Sequence, residues 1–201
     1  SLGKRMTPGV ELKASPAKLL QGHNVFGPTS IRLGAEVMLK WLAGSYPELW
    51  SQLDPLQAQV YNIDCTFSAR LPDERTALQL IQALRGVSNG QTRNRGDDYQ
   101  TTAYWGSKET RLRRLKAYLK GPEFRGEIDK AVKAARGGNL SARRTLGVLQ
   151  IPDLRAWADN LIRFEATVMH RWLDRRNIPS KLWALCDYQE QLAAQGQCLS
   201  L

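Results

Sequence analysis

The chain has 201 residues, 42% hydrophobic and 24% charged. That suits one domain with a real core and excludes a disordered tail, a collagen-like repeat and a disulfide miniprotein. Its formal charge of +10 favours phosphate polyanions as partners, and no apolar run approaches the ~18 residues that a membrane span needs.

Val10–Lys13 alternates apolar and charged residues and predicts a short strand after a loop over Ser1–Gly9. Ser15-Pro16 opens a brief helix, with Ser at the cap and Pro at the first helical position. Leu33, Val37 and Trp41 mark an amphipathic helix that Gly44 and Pro47 end. Val60–Phe67 reads as a strand, and Pro72-Asp73-Glu74 opens a helix closed by Gly86. Ser88–Asp98 is a loop by composition. Thr101–Trp105 and Leu112–Lys120 predict a hairpin through Gly106-Ser107, and Pro122–Arg136 predicts a charged helix broken by Gly137-Gly138. A helix from Pro152 to near Asn160, a strand over Arg163–His170 and a closing helix over Pro179–Ala194 complete the chain. The expected fold is α+β, a single mostly antiparallel sheet with packed helices.

The charge is unevenly spread. Between Lys108 and Arg144, twelve basic residues face four acidic ones, which is +8 of the total. Nineteen of the cations are Arg, the planar fork that grips phosphate oxygens in pairs. Gly121, Pro122 and Gly137-Gly138 interrupt this run, which argues against a membrane-surface helix and for nucleic acid. Three cysteines (Cys65, Cys186, Cys198) form no Cys-x-x-Cys pair, and their odd number fits a reducing compartment.

Strand alternation sorts the chemistry onto faces. In Val60–Phe67, Tyr61, Ile63, Cys65 and Phe67 share an apolar face, opposite Asn62, Asp64 and Thr66. In the Leu112–Lys120 strand, Leu115, Ala117 and Leu119 point to the core, leaving Arg114, Lys116, Tyr118 and Lys120 together. In Arg163–His170, Phe164, Ala166 and Val168 go inward and Arg163, Glu165 and Thr167 outward. If these strands share a sheet, one face collects Asp64, Glu165, Tyr118 and four cations.

Two carboxylates suit a hard divalent cation, Mg²⁺ or Mn²⁺, which would polarise a phosphate oxygen. Nearby cations would favour the Tyr118 phenolate, and a phenolate can attack phosphorus. Arg111 and Arg113, in the same basic run, join Arg114, Lys116 and Lys120 as expected phosphate contacts. His23 and Arg163 are further candidates. The plainer reading is that Asp64 and Glu165 make ordinary salt bridges with Arg163 or Arg114 on a solvated face. Gly22–Gly27 has the glycine spacing of a Walker loop, but Pro28 stands where the lysine is required, so an NTPase is excluded. Cys65 is expected to be a buried small hydrophobe, and Trp105 to be core rather than a base-stacking residue.

Several blocks then carry a resemblance: Val10-Glu-Leu-Lys-Ala-Ser-Pro-Ala-Lys-Leu-Leu-Gln-Gly-His-Asn-Val-Phe-Gly27, Ile63-Asp-Cys-Thr-Phe-Ser-Ala-Arg70, Val87-Ser-Asn-Gly-Gln-Thr92, Ala117-Tyr-Leu-Lys120 and Arg163-Phe-Glu-Ala166. In order and spacing, from about Val10 to about Asp187, they resemble the filamentous-phage replication-initiator family, the gene II proteins. The resemblance implies a rolling-circle endonuclease that nicks one strand of supercoiled phage DNA, holds the 5′ phosphate on a tyrosine and later rejoins single-stranded circles. The family's nucleophile is the Tyr of the Ala-Tyr-Leu-Lys motif, which falls on Tyr118.

The family is distantly similar to plasmid rolling-circle initiators, some with a His-hydrophobe-His metal motif. His23 and His170 do not form one, so Asp64 and Glu165 are expected to do the metal work in an HUH-like architecture without the His pair. The resemblance implies one initiator endonuclease domain over residues 1–201, lacking N-terminal strands and a C-terminal extension. It also implies origin DNA, double- and single-stranded, as partner, with the host replication helicase and polymerase, in the bacterial host cytoplasm. The alternative is a non-catalytic truncated relative that binds origin DNA. A single-strand RNA-binding sheet would need exposed aromatics on the polar face, where the sequence offers Tyr118 alone.

Overall fold

The computed structural model describes residues 9–87, 100–107 and 110–198. The loop expected over Ser88–Asp98 and most of the N-terminal loop lie outside the described residues. Four strands, β1 (Asn62–Arg70), β2 (Thr102–Trp105), β3 (Arg113–Leu119) and β4 (Leu161–Met169), form one sheet in the order β1-β4-β3-β2. Every neighbouring pair is antiparallel. The expected α+β class and single antiparallel sheet are found. The last strand to be made, β4, sits between β1 and β3, so the sheet closes only when the C-terminal third of the chain is in place.

Helix α4 (Glu74–Arg85) covers the apolar face of β2, β3 and part of β4. Its start is fixed by Asp73, whose carboxylate accepts the Thr76 N–H at 2.7 Å. Ala77 and Ile81, fully buried, pack on Ala103, Trp105, Ala117, Leu119 and Ile162. Burying Ile81 alone is worth about 2–3 kcal/mol. Trp105 is a core residue, as expected, and its indole N–H donates to the Val87 carbonyl at 2.8 Å.

A second cluster joins Val168, Trp172, Leu173, Ile178 and Leu185, drawn from β4, helix α8 (His170–Arg175) and the closing helix α9 (Leu182–Ala194). A third joins Val25, Phe124, Leu149, Leu154, Ala158 and Leu161. It draws on α5 (Lys120–Arg136), α6 (Leu140–Leu149) and α7 (Pro152–Asp159), and it lies over one end of the sheet's other, polar face. Helices α1 (Pro16–Gln21), α2 (Ile31–Ser45) and α3 (Pro47–Trp50) complete the chain.

Several expectations are corrected. Val10–Lys13 has no regular structure: among the described residues no strand pairs with it, and extended propensity without a ladder makes no sheet. Helix α6 carries no clear apolar stripe. Leu149 is its one buried residue and Leu140 is 68% exposed, so its only sequence signal is the Asn139 cap to Ala142 N–H. β4 ends at Met169, and His170 begins α8 instead of closing the strand. On β1 the alternation is right but the burial is not. Phe67 remains 59% exposed on this edge strand, and Tyr61, just before it, 61%. Cys65 is half-buried, and burial with the neighbouring Asp64 charge pushes its thiol up to about 11.

Candidate active site

The registers turn the expected polar face into four rows. Asp64, Thr167 and Arg114 make the first; Thr66, Glu165, Lys116 and Tyr104 the second; Ser68, Arg163, Tyr118 and Thr102 the third. Arg70 and Leu161 begin the fourth, where Lys120 leaves β3 and starts α5. The sheet thus brings Asp64, Glu165, Arg163, Tyr118, Arg114 and Lys116 onto one face. Arg113 belongs to the opposite face, directly across from the fully buried Val168, and Arg111 precedes the strand and is exposed. Neither shares the Tyr118 face, because a one-residue offset in a strand reverses the side.

Tyr118 is only 7% exposed. Arg163 is its cross-strand neighbour, and Lys116 Nζ lies 4.8 Å from its ring centroid. Lys116 is itself paired with Glu165 at 2.6 Å. Burial first, and the Glu165 charge second, push the Tyr118 phenol well above its ordinary range, outweighing Arg163. The expectation that cations would favour the phenolate is therefore corrected: in the free chain the nearest lysine is spent on Glu165, and the phenol keeps its proton.

Arg163 is 5% exposed and fully engaged. Its two terminal nitrogens donate to the Asn24 and Val25 carbonyls, both at 2.6 Å, and Nε donates to Ser68 Oγ at 3.2 Å. The guanidinium fork pins the His23–Phe26 loop onto the Tyr118 row. Lys120 adds a second tie, donating to Asn24 Oδ1 at 2.6 Å and pairing with Glu123. Lys120 is fully buried, and desolvation lowers its pKa. Read as an exposed phosphate contact from the sequence, it instead braces a loop. Gly121 is what lets it do so: a Cβ there would lie 2.8 Å from Asp159 Cα, so only glycine allows α5 to start this close to the end of α7. His23 is buried beside this tie, and its Nδ1 accepts the Val25 N–H at 3.2 Å. Burial and Lys120 lower its pKa, which keeps the acceptor unprotonated.

The carboxylates sit toward the other end. Asp64 is exposed and accepts the Thr167 hydroxyl at 2.6 Å. Glu165 holds Lys116. Neither makes the Arg163 or Arg114 salt bridge considered from the sequence. Among the described residues no three His, Cys, Asp or Glu side chains converge into a metal cage. Asp64 and Glu165 are diagonal neighbours across β1 and β4, with the Thr66 hydroxyl in the same patch. Such a donor set fits a hydrated Mg²⁺ or Mn²⁺ that completes its shell with water and phosphate, rather than one enclosed by protein.

The basic run does not form one patch. Lys120 and Arg125 are spent on internal partners, Arg125 bridging Glu74 and Asp159. Lys130, Lys133, Arg136, Arg143 and Arg144 are exposed or half-exposed on α5 and α6. Sequence reasoning missed Tyr104, Ser68 and Arg70 on the polar face, although continuing the alternation of β1 beyond Phe67 finds the last two. It also missed Asn24, for which no signal of spacing exists.

No helix among the described residues is long and apolar enough to cross a membrane. No solved structure matches the chain. The family described as the N-terminal part of the gene II replication-associated protein matches residues 1–195. Two relatives bear the name of that same replication-associated protein. The one from Salmonella phage IKe is 43% identical over 191 residues, covering 94% of this chain and 45% of the relative. The one from Enterobacteria phage fd is 40% identical over 198 residues, 98% of this chain and 48% of the relative. The chain spans less than half the length of these relatives. On the strength of a match over nearly all its residues, it belongs to the gene II replication-associated protein family of filamentous phages.

Proposed function

We propose that this chain carries the strand-cleaving chemistry of a rolling-circle replication initiator, with Tyr118 as nucleophile on origin DNA. The observation that carries the reading is the Tyr118 row itself. A buried tyrosine lies directly across from a guanidinium and diagonal to an ion-paired carboxylate, in a chain of +10 that belongs to a phage replication family.

In the proposed step the Tyr118 Oη–phosphorus bond forms and the phosphorus–O3′ bond breaks. The phenol gives up its proton and the departing O3′ gains one, leaving a 5′-phosphotyrosine and a 3′-hydroxyl. The phosphodiester energy stays in the tyrosyl link, so attack by a 3′-hydroxyl reverses the step and religates the strand without ATP. Because Tyr118 is buried, side chains around it must move for the DNA strand to reach its hydroxyl. Arg163, directly across from Tyr118, would supply positive charge beside the phosphate while still holding the loop. Arg114 and Lys116 lie along the face to hold neighbouring phosphates. Asp64 and Glu165, with Thr66, would hold Mg²⁺ or Mn²⁺, which when bound polarises a phosphate oxygen as a Lewis acid. Origin DNA, double- and single-stranded, is the proposed partner, with host helicase and polymerase acting after the nick in the bacterial cytoplasm.

The test is incubation with supercoiled origin-bearing plasmid and Mg²⁺. Open circles and a denaturant-resistant protein–DNA adduct are expected, and Asp64→Asn and Glu165→Gln should each lose nicking while still binding DNA. Binding without nicks or adduct would leave a non-catalytic relative that occupies the origin.

A further inference from the structure

We propose that Phe26, Trp157 and Arg70 form a stacking site for an unpaired nucleobase of the DNA strand, one row from Tyr118. The inference rests on the reading of Tyr118 as nucleophile for its purpose, but the site stands on its own geometry.

Three elements meet there. Phe26 comes from the loop that Arg163 pins, Trp157 from α7, and Arg70 from the end of β1. The Phe26 and Trp157 rings are edge to face, with centroids 5.5 Å apart. The Arg70 guanidinium lies 4.6 Å over the Trp157 ring. Phe26 and Trp157 nonetheless remain 47% and 42% exposed. Two large aromatics and an arginine, gathered from distant parts of the chain and left open, offer flat apolar area rimmed by positive charge. That combination stacks bases whatever their identity.

The platform is also rigid beneath. Val25, next to Phe26, is 2% exposed and packs with Leu154 and Ala158 of the helix that carries Trp157. Stacking there would cost little ordering entropy. Its position suits the chemistry. Arg70 follows Ser68 by two residues on the polar face, and Ser68 shares a row with Arg163 and Tyr118. Strand spacing sets Arg70 and Tyr118 about 12 Å apart at Cα, so a base beside the scissile phosphate reaches the stack while its phosphate faces Arg163. A duplex would have to unpair to use it, which restricts the site to single-stranded DNA.

The experiment compares a fluorescent single-stranded oligothymidylate, an abasic oligomer of the same length and a duplex, titrated against the full chain and the variants Trp157→Ala, Phe26→Ala and Trp157→Phe. Loss of a stacked base predicts about tenfold or more weaker oligothymidylate binding for Trp157→Ala and a smaller loss for Phe26→Ala. Binding to the abasic strand and the slope against salt should stay unchanged, and Trp157→Phe should recover most of the loss. Circular dichroism confirms that each variant folds. Failure of the chain to prefer base-bearing over abasic strand overturns the proposal, as does an equal loss for all three ligands. An adduct-competent chain with unaltered oligothymidylate binding in both alanine variants would sink this site and keep the nuclease. Base-dependent binding without any adduct would do the reverse.

Discussion

The two ends of the polar face carry the same strand alternation and opposite degrees of burial. At the Tyr118 end, Tyr118, Arg163 and Lys120 are 7%, 5% and 0% exposed, with the His23–Phe26 loop tied to both cations. At the Asp64 end, Asp64 and Thr66 are open and Arg114 is half-buried. Polar groups at the closed end must find protein partners, since unpaired burial is costly. That is why the cations there hold carbonyls and carboxylates and not solvent. At the open end the same residue types remain available to a phosphate or a hydrated cation. One face therefore combines a shielded tyrosine with an open, charged rim.

The sharpest way to break this contrast is Arg163→Ala. It strands two loop carbonyls and should destabilise the chain by about 3 kcal/mol in urea unfolding. A loss under about 1 kcal/mol would mean that the loop is not pinned. Next is Thr167→Val, in the Asp64 row. Thr167 is 5% exposed but its partner Asp64 is solvated, so losing the 2.6 Å bond should cost about 1 kcal/mol.

His23 gives a pH signature of the closed end. Burial and Lys120 lower its pKa from the ordinary 6.5, so the unfolded chain takes up a proton there before the folded chain does. Its contribution is whole above pH 6.5 and is lost as pH falls through the lower folded value. Stability of the chain should decline across that window, and His23→Gln should flatten the decline. The smallest effect belongs to the open end: Arg114→Ala should change stability by no more than about 0.5 kcal/mol. It should instead reduce the steepness with which DNA binding falls with salt, by roughly one unit of slope. An Arg114→Ala loss as large as that of Arg163→Ala would erase the distinction between the ends.

Much of this was legible in the sequence. Period-two alternation in three segments placed Asp64, Glu165, Arg163, Arg114, Lys116 and Tyr118 on one face before any strand order was known, because the side of a strand is a local property. Burial along the strand is not local. It depends on which helices lie over which rows, and nothing in the Lys120 neighbourhood signals that Asn24, nearly a hundred residues earlier, will close on it. For the same reason Tyr118 reads as an activated phenolate in sequence and stands as a protonated phenol in the fold. Burial raises its pKa most, and the carboxylate that adds to the rise arrives on a strand more than forty residues later. Arg113 shows the opposite limit. Membership of a basic run is compositional, whereas its side of the sheet is fixed by parity.

Whether Tyr118 is the attacking group is tested directly by one measurement. Single-stranded origin DNA labelled on the 3′ side of the cleavage site is incubated with Mg²⁺ and the wild-type chain, Tyr118→Phe or Tyr104→Phe, then run under denaturing conditions. Tyr104 lies on the same face one row away, opposite Lys116, so it controls for loss of a tyrosine from the sheet. A labelled adduct is expected with wild type and with Tyr104→Phe, and none with Tyr118→Phe despite its unchanged fold. A denaturant-resistant adduct formed by Tyr118→Phe would contradict that role for Tyr118.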